Sequence, residues 1–132
     1  MEIRIQIIVV DDNLTFLAAL ISFLKSIEKY EVIAAFSSGA SFLDSINDYD
    51  PDLVLLDIEM PGFNGLEIAR RLSILGNELK LIAISMYQEN IYMKRLMDSG
   101  FRGFVSKNNI TGHLEQAMNL VMKGEVVFPE IR

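Results

Sequence analysis

The stretch Leu53-Val54-Leu55-Leu56-Asp57-Ile58-Glu59-Met60-Pro61-Gly62-Phe63-Asn64-Gly65 decides how this chain is read. An apolar run ends in a carboxylate, and a turn of proline, glycine and asparagine follows at once. A run this short and rich in branched side chains reads as a strand buried on both faces. Strands of that kind belong to open parallel sheets, whose ligands bind beyond the strand C-terminal ends. Aspartate is also a common turn and cap residue. The rest of the chain has to decide whether Asp57 is a cap or part of a site.

Upstream, Arg4 to Val10 is a first apolar run, and it ends in Asp11-Asp12. From Asn13 to about Ile27, Leu14, Leu17, Ala18, Ile21 and Leu24 recur at helical spacing, with Asp12 or Asn13 as N-cap. Val32 to Phe36 is a second strand. Ser37-Ser38-Gly39 then opens a short helix, and Asp48 to Pro51 forms a turn. Downstream, Leu66, Ile68, Ala69 and Leu72 mark a helix that Gly76 ends, with Glu67 and Arg71 paired on its wet side. Leu79 to Ser85 is the fourth strand. A helix from Glu89 to Ser99 stops at Gly100, and Gly103 to Ser106 is a fifth strand reaching Lys107. Thr111 caps a last helix with Leu114, Ala117, Met118 and Val121 on one face, and Gly124 closes it. Five strand–helix pairs in alternation predict an α/β domain: a five-stranded parallel sheet covered by helices on both faces.

Composition narrows the function classes. The 132 residues make one domain, and 51% hydrophobic content supports a real core. A net charge of −6 disfavours nucleic-acid binding by this segment, because phosphate contacts need a basic footprint. With no cysteine and one histidine, His113, thiolate and histidine-cluster metal sites are excluded. Ile3 to Val10 is too short and too mixed for a signal peptide, and no apolar stretch approaches a membrane span, so a soluble cytoplasmic protein is expected. His113 reads as a helix-surface residue. Lys94-Arg95 reads as a solvated face, and Met93, Met97, Met118 and Met122 read as packing.

The strand ends gather the chemistry. Asp11-Asp12 end the first strand, Asp57 the third and Ser85 the fourth, while Lys107 follows the fifth. In a parallel sheet these ends share one edge, and a strand order of 2-1-3-4-5 brings the three aspartates into one crevice. Clustered carboxylates need a cation or must take up protons. An oxygen-only ligand set suits a hard ion, magnesium before zinc. A hydroxyl and an ammonium facing the acids are what a phosphoryl group uses.

Asp11-Asp12, Asp57, the Met60 to Gly65 turn, Ser85 and Phe104-Val105-Ser106-Lys107 together resemble the receiver domain of two-component response regulators, over roughly residues 5 to 123. The resemblance implies a flavodoxin-like doubly wound (βα)5 fold. It implies that Asp57 accepts a phosphoryl group from a sensor histidine kinase or phosphotransfer protein. It implies Mg²⁺ held by Asp12, Asp57 and the backbone carbonyl of Glu59, with Asp11 acting through water. It further implies that Lys107 pairs first with Asp57 and then with the phosphoryl group, that Ser85 bonds a phosphoryl oxygen, and that Ser85 and Phe104 form the switch.

Two features depart from the pattern: Asn108 follows the lysine where proline is usual, and Met86 follows Ser85 where a small residue is usual. Glu59 and Tyr87 stand at positions that tune dephosphorylation in similar proteins. Gly100-Phe101-Arg102-Gly103-Phe104 and Ser85-Met86-Tyr87 resemble receivers joined to LuxR-type helix-turn-helix domains. The expected layout is a receiver at 1–124, with 125–132 starting a linker to a C-terminal DNA-binding domain, and homodimerisation on phosphorylation. Three other readings are a stand-alone receiver acting through protein contacts, a pseudo-receiver acting by binding alone, and a Mg²⁺-dependent aspartyl-phosphate phosphotransferase or phosphatase. The last gains from Glu59, two positions past Asp57, and loses from the lack of room for a cap domain. The intact acid set and Lys107 argue against the pseudo-receiver.

Overall fold

A computed structural model describes residues 3–62, 64–76, 78–86 and 90–129, with only the helical backbone for 90–92. Expectations placed on Phe63, Tyr87, Glu89 and residues 130–132 lie outside the described residues. Strands β1 (Ile5–Val10), β2 (Tyr30–Phe36), β3 (Leu53–Asp57), β4 (Leu81–Ser85) and β5 (Gly103–Ser106) alternate with five helices. These are α1 (Leu14–Lys25), α2 (Gly39–Ser45), α3 (Gly65–Ile74), α4 (Asn90–Asp98) and α5 (Ile110–Met122). All strand pairs are parallel, in the expected order β2-β1-β3-β4-β5.

Strand alternation divides the core in two. Ile8, Val10, Val54, Leu56, Ala83 and Phe104 pack towards α2, α3 and α4, against Phe42, Ile68, Leu72 and Leu96. Ile7, Val9, Leu55, Ile84 and Val105 pack towards α1 and α5, against Leu20, Leu24, Leu114 and Met118. β3 lies at the centre of the sheet and is buried along its whole length. The turn after it depends on two glycines. Gly62 has φ +85°, a conformation other residues rarely adopt. At Gly65, a Cβ would lie 2.4 Å from Ile58 Cγ2. The Gly65 N–H donates to the Ile58 carbonyl, and the Asn64 side chain accepts from the Glu67 N–H at 3.0 Å to cap α3.

Several local expectations shift. β1 starts at Ile5 rather than Arg4, β2 extends back to Tyr30, and β4 starts at Leu81 rather than Leu79. α1 ends at Lys25, and Asn13 is its cap, accepting from the Phe16 N–H at 3.0 Å. Thr111 is not the cap of α5. The Ser106 hydroxyl accepts from the Asn108 N–H and starts a 3-10 turn, Lys107–Asn109, which feeds directly into a helix beginning at Ile110. Met93 and Met118 are core residues, but Met97 is exposed.

The segment after α5 is attached to the sheet. Val127 bridges Gly103 in parallel. Its N–H donates to the Arg102 carbonyl at 2.8 Å, and its carbonyl accepts from the Phe104 N–H at 3.0 Å. Phe128 packs on the core cluster that contains Phe104. Residues expected to begin a linker therefore start out bound along the outer edge of β5.

Candidate functional site

β1 and β3 are neighbours, so their ends bring Asp11 and Asp57 together at the C-terminal edge of the sheet. Both side chains are deeply buried, at 2% and 3% exposure, while Asp12 is exposed. One carboxylate oxygen from each of Asp11, Asp12 and Asp57 lies within 4.8 Å of the others. The Asp11 carboxylate also shapes its own loop, since Oδ1 accepts from the Asn13 N–H at 2.8 Å.

Lys107, carried by the 3-10 turn after β5, reaches across to these acids. Its Nζ lies 2.8 Å from Asp11 Oδ2 and 3.3 Å from Asp57 Oδ2. Burial alone would lower the ammonium, but the two carboxylates outweigh it and hold Lys107 above its usual value. Asp57 is pushed up to about 7. Burial is the main cause, opposed by the Glu59 N–H that donates to Oδ1 at 2.9 Å and by Lys107, and reinforced by Asp11. The acids thus outnumber the ammonium that reaches them, and the buried negative charge is only partly neutralised. An all-oxygen set with excess charge fits a hard divalent ion.

Ser85 ends β4 at 1% exposure and donates its hydroxyl to the Glu59 carboxylate. That carboxyl is raised by burial, with Lys107 opposing and Asp11 adding to the shift. Phe104 is 4% exposed and lies on the α3–α4 side of the sheet, as Ser85 does by strand alternation. Met86 is exposed beside the site. His113, Lys94 and Arg95 are also exposed and take no part in it.

Of the residues assigned to the site from the sequence, Asp11, Asp12, Asp57, Glu59, Ser85 and Lys107 reach this edge, and Phe104 lies one layer below. Two features were not anticipated. The first is the Glu59–Ser85 bond. The second is Phe16, whose ring lies 4.5 Å from Lys107 Nζ. Phe16 is not among the apolar positions read from the sequence of this helix, and only the fold shows what it faces.

Comparison with known proteins places this geometry in a family. The response regulator receiver domain matches residues 7–119. The response regulator GacA of Pseudomonas viridiflava is 30% identical over 96% of the chain. The transcriptional regulatory protein DesR of Bacillus subtilis is 31% identical over the same share. The chain spans 60% and 63% of those two relatives. Among solved structures, the non-phosphorylated receiver domain of the stress response regulator RcsB from Escherichia coli superposes with a TM-score of 0.89 at 22% identity. That match covers 96% of this chain and 99% of the other, and it shows the shared fold. A LuxR-family DNA-binding response regulator from Staphylococcus aureus matches with a TM-score of 0.81 at 25% identity, over 89% of this chain and 98% of that one.

Proposed function

Because the chain belongs to the response regulator receiver family, we propose that Asp57 is its phosphoacceptor and that the phosphoryl donor is a partner histidine kinase. The observation that carries this reading is the buried Asp57 carboxylate, held at a strand end between a lysine ammonium and two further acids. A carboxylate oxygen of Asp57 forms the P–O bond while the P–N bond of a phosphohistidine breaks. The electron pair returns to the leaving imidazole nitrogen. Lys107 balances the charge that gathers on the phosphoryl oxygens, and Ser85 donates a hydrogen bond to one of them. Phe104 then repacks as Ser85 moves, since an added dianion biases a two-state packed element.

Mg²⁺ is the fitting cofactor. Asp12, Asp57 and the Glu59 carbonyl would hold it, with Asp11 acting through water. The ion supplies charge neutralisation that lets an anionic donor approach a carboxylate. Asp12 offers an exposed carboxylate, and Glu59 holds Asp57 in place through its N–H.

The output is transcription control through a LuxR-type DNA-binding domain, with dimerisation on phosphorylation. Support comes from relatives that are response regulators and transcriptional regulatory proteins longer than this chain. Among the described residues no helix is long and apolar enough to cross a membrane, which accords with a cytoplasmic role.

The test is intact mass after incubation with Mg²⁺ and acetyl phosphate. A phosphoryl adduct on wild type that is absent from Asp57→Asn is expected. Turnover of acetyl phosphate with no adduct would point to a phosphatase instead. Sedimentation with and without beryllofluoride tests the coupling to dimerisation.

A further inference from the structure

Phe16 closes a ring of contacts around the acid cluster. Asp11 Oδ1 accepts from the Asn13 N–H, and Asn13 Oδ1 accepts from the Phe16 N–H. The Phe16 ring faces Lys107 Nζ at 4.5 Å, and Lys107 returns to Asp11 Oδ2 at 2.8 Å. Asp11 is thus tied at one oxygen to the backbone that begins α1 and at the other to the ammonium that α1 covers. Lysine is a flexible stem carrying a point charge, and nothing in its own rotamers keeps it in a crevice. The negative face of an aromatic ring attracts an ammonium, most strongly where water is excluded. Phe16 is half-buried against the α1–α5 core and its backbone is fixed by the cap, so the ring has little freedom to turn away.

We propose that Phe16 is a positioning residue for phosphoryl transfer: its ring face holds the Lys107 ammonium in the crevice between Asp11 and Asp57. This rests on the phosphoacceptor reading of Asp57. As a phosphoryl group arrives, Lys107 has to move from Asp57 Oδ2 to the new oxygens. The ring bounds that movement, so the ammonium slides within the crevice and does not swing into solvent. An ordinary core phenylalanine would only fill volume, and leucine would replace it without consequence for Lys107.

The experiment uses the whole chain with Phe16→Leu and Phe16→Tyr. Phe16→Leu keeps most of the apolar bulk and loses the π face, while Phe16→Tyr keeps the face. The first readout needs neither metal nor phosphodonor. It is the NMR shift of the Lys107 Nζ nitrogen, which reports the ammonium's ion pairs with Asp11 and Asp57 and on whose scale a ring current is small. The shift should persist in Phe16→Tyr and move towards the free-lysine value in Phe16→Leu. The second is the rate of adduct formation with Mg²⁺ and acetyl phosphate, expected to fall about threefold to tenfold in Phe16→Leu and to stay within about twofold in Phe16→Tyr. A Phe16→Leu protein that keeps the Lys107 shift, or reacts as fast as wild type, overturns the proposal. If Phe16→Leu fails to fold, loss of the shift or of the rate in a folded Phe16→Tyr overturns it instead, and retention of both supports it. Absence of an adduct on wild type is the distinct outcome that removes the phosphoacceptor reading, and this inference with it.

Discussion

Ser85 donates its hydroxyl to the Glu59 carboxylate. In the proposed transfer the hydroxyl has to leave that acceptor to reach a phosphoryl group on Asp57. Glu59→Ala should therefore accelerate adduct formation by acetyl phosphate, by about 2- to 10-fold, the equivalent of a hydrogen bond worth ~0.5–1.5 kcal/mol. Glu59→Gln keeps an acceptor and removes a charge, so it separates the two contributions. Equal acceleration in both variants would assign the effect to charge alone. The measurement is initial rate by intact mass at fixed Mg²⁺.

The Asp57 carboxyl makes metal-free stability depend on pH. Its folded value, about 7, lies above the ordinary carboxylate value, so between about 4 and about 7 the folded protein binds more protons than the unfolded chain. The stability associated with this group is complete below the unfolded value and is lost as pH rises through about 7. Asp57→Asn should therefore raise Tm in EDTA at pH 8, by roughly 5 °C or more, and change it little at pH 4. Paired thermal melts at the two pH values check this, and a Tm gain that is the same at both would show that Asp57 titrates normally.

Mg²⁺ should reverse that penalty. Added at about 100 times its Kd, an ion bound only by the folded state stabilises by ~2.7 kcal/mol. Asp12→Ala removes an exposed carboxylate that packs no core, so its metal-free stability should match wild type within about 0.5 kcal/mol. The Mg²⁺-induced rise in Tm should be lost. Melts with Mg²⁺, EDTA and Ca²⁺ give the comparison. An undiminished rise in Asp12→Ala would move the ion to other ligands.

Gly65 tests the turn that holds the site. A Cβ there meets Ile58 Cγ2 at 2.4 Å and the Ile58 Cα at 2.8 Å, so Gly65→Ala should destabilise by about 1–3 kcal/mol through overpacking. At Gly62 the space is open and only the positive φ opposes a side chain, so Gly62→Ala should be milder, about 1 kcal/mol. Urea unfolding of both variants would show the order, and a reversed order would mean that Ile58 yields more easily than the backbone.

The edge of β5 supplies a residue-level readout. The Phe104 N–H is bonded to the Val127 carbonyl, so ending the chain at Gly124 should leave that amide to water. Its hydrogen exchange should accelerate by about tenfold or more, while the amides of β3 stay slow. Uniform acceleration across the sheet would indicate global destabilisation and not the loss of one edge contact.

Much of this protein was legible because its function sits where hydrophobic pattern stops. A buried parallel strand announces itself by a continuous apolar run, and an acid or lysine just past such a run has its position set by the strand. That is why the positions of Asp11, Asp57, Ser85 and Lys107 at the sheet edge follow from the sequence. What stayed hidden depends on contacts between elements remote in sequence. Phe16 falls outside the apolar series read for its helix, and its partner arrives from the far end of the sheet. Glu59 and Ser85 are likewise joined only by the pairing of β3 with β4. The β-prone Val126-Val127-Phe128 was the available sign that the tail continues the sheet, and it is too short to stand out from a linker. The misplaced Thr111 cap has a local cause: the 3-10 turn runs straight into the helix and sets the cap position two residues earlier, at Asn109, with no side-chain capping bond to mark it.

The two core clusters give the sheet a further meaning. Strand alternation sends Asp11 and Asp57 to the side packed by α1 and α5, where Phe16 and Lys107 meet, and sends Ser85 and Phe104 to the side packed by α3 and α4. The sheet is therefore a partition as well as a scaffold. Changes in the α1–α5 layer, at Leu20 or Met118, press on Asp11, Asp57 and Lys107, the proposed phosphoryl-transfer groups. Changes in the α3–α4 layer, at Leu72 or Leu96, press on Ser85 and Phe104, the proposed switch. On the proposed roles, a receiver divided in this way retunes its chemistry and its message in separate layers of one small core.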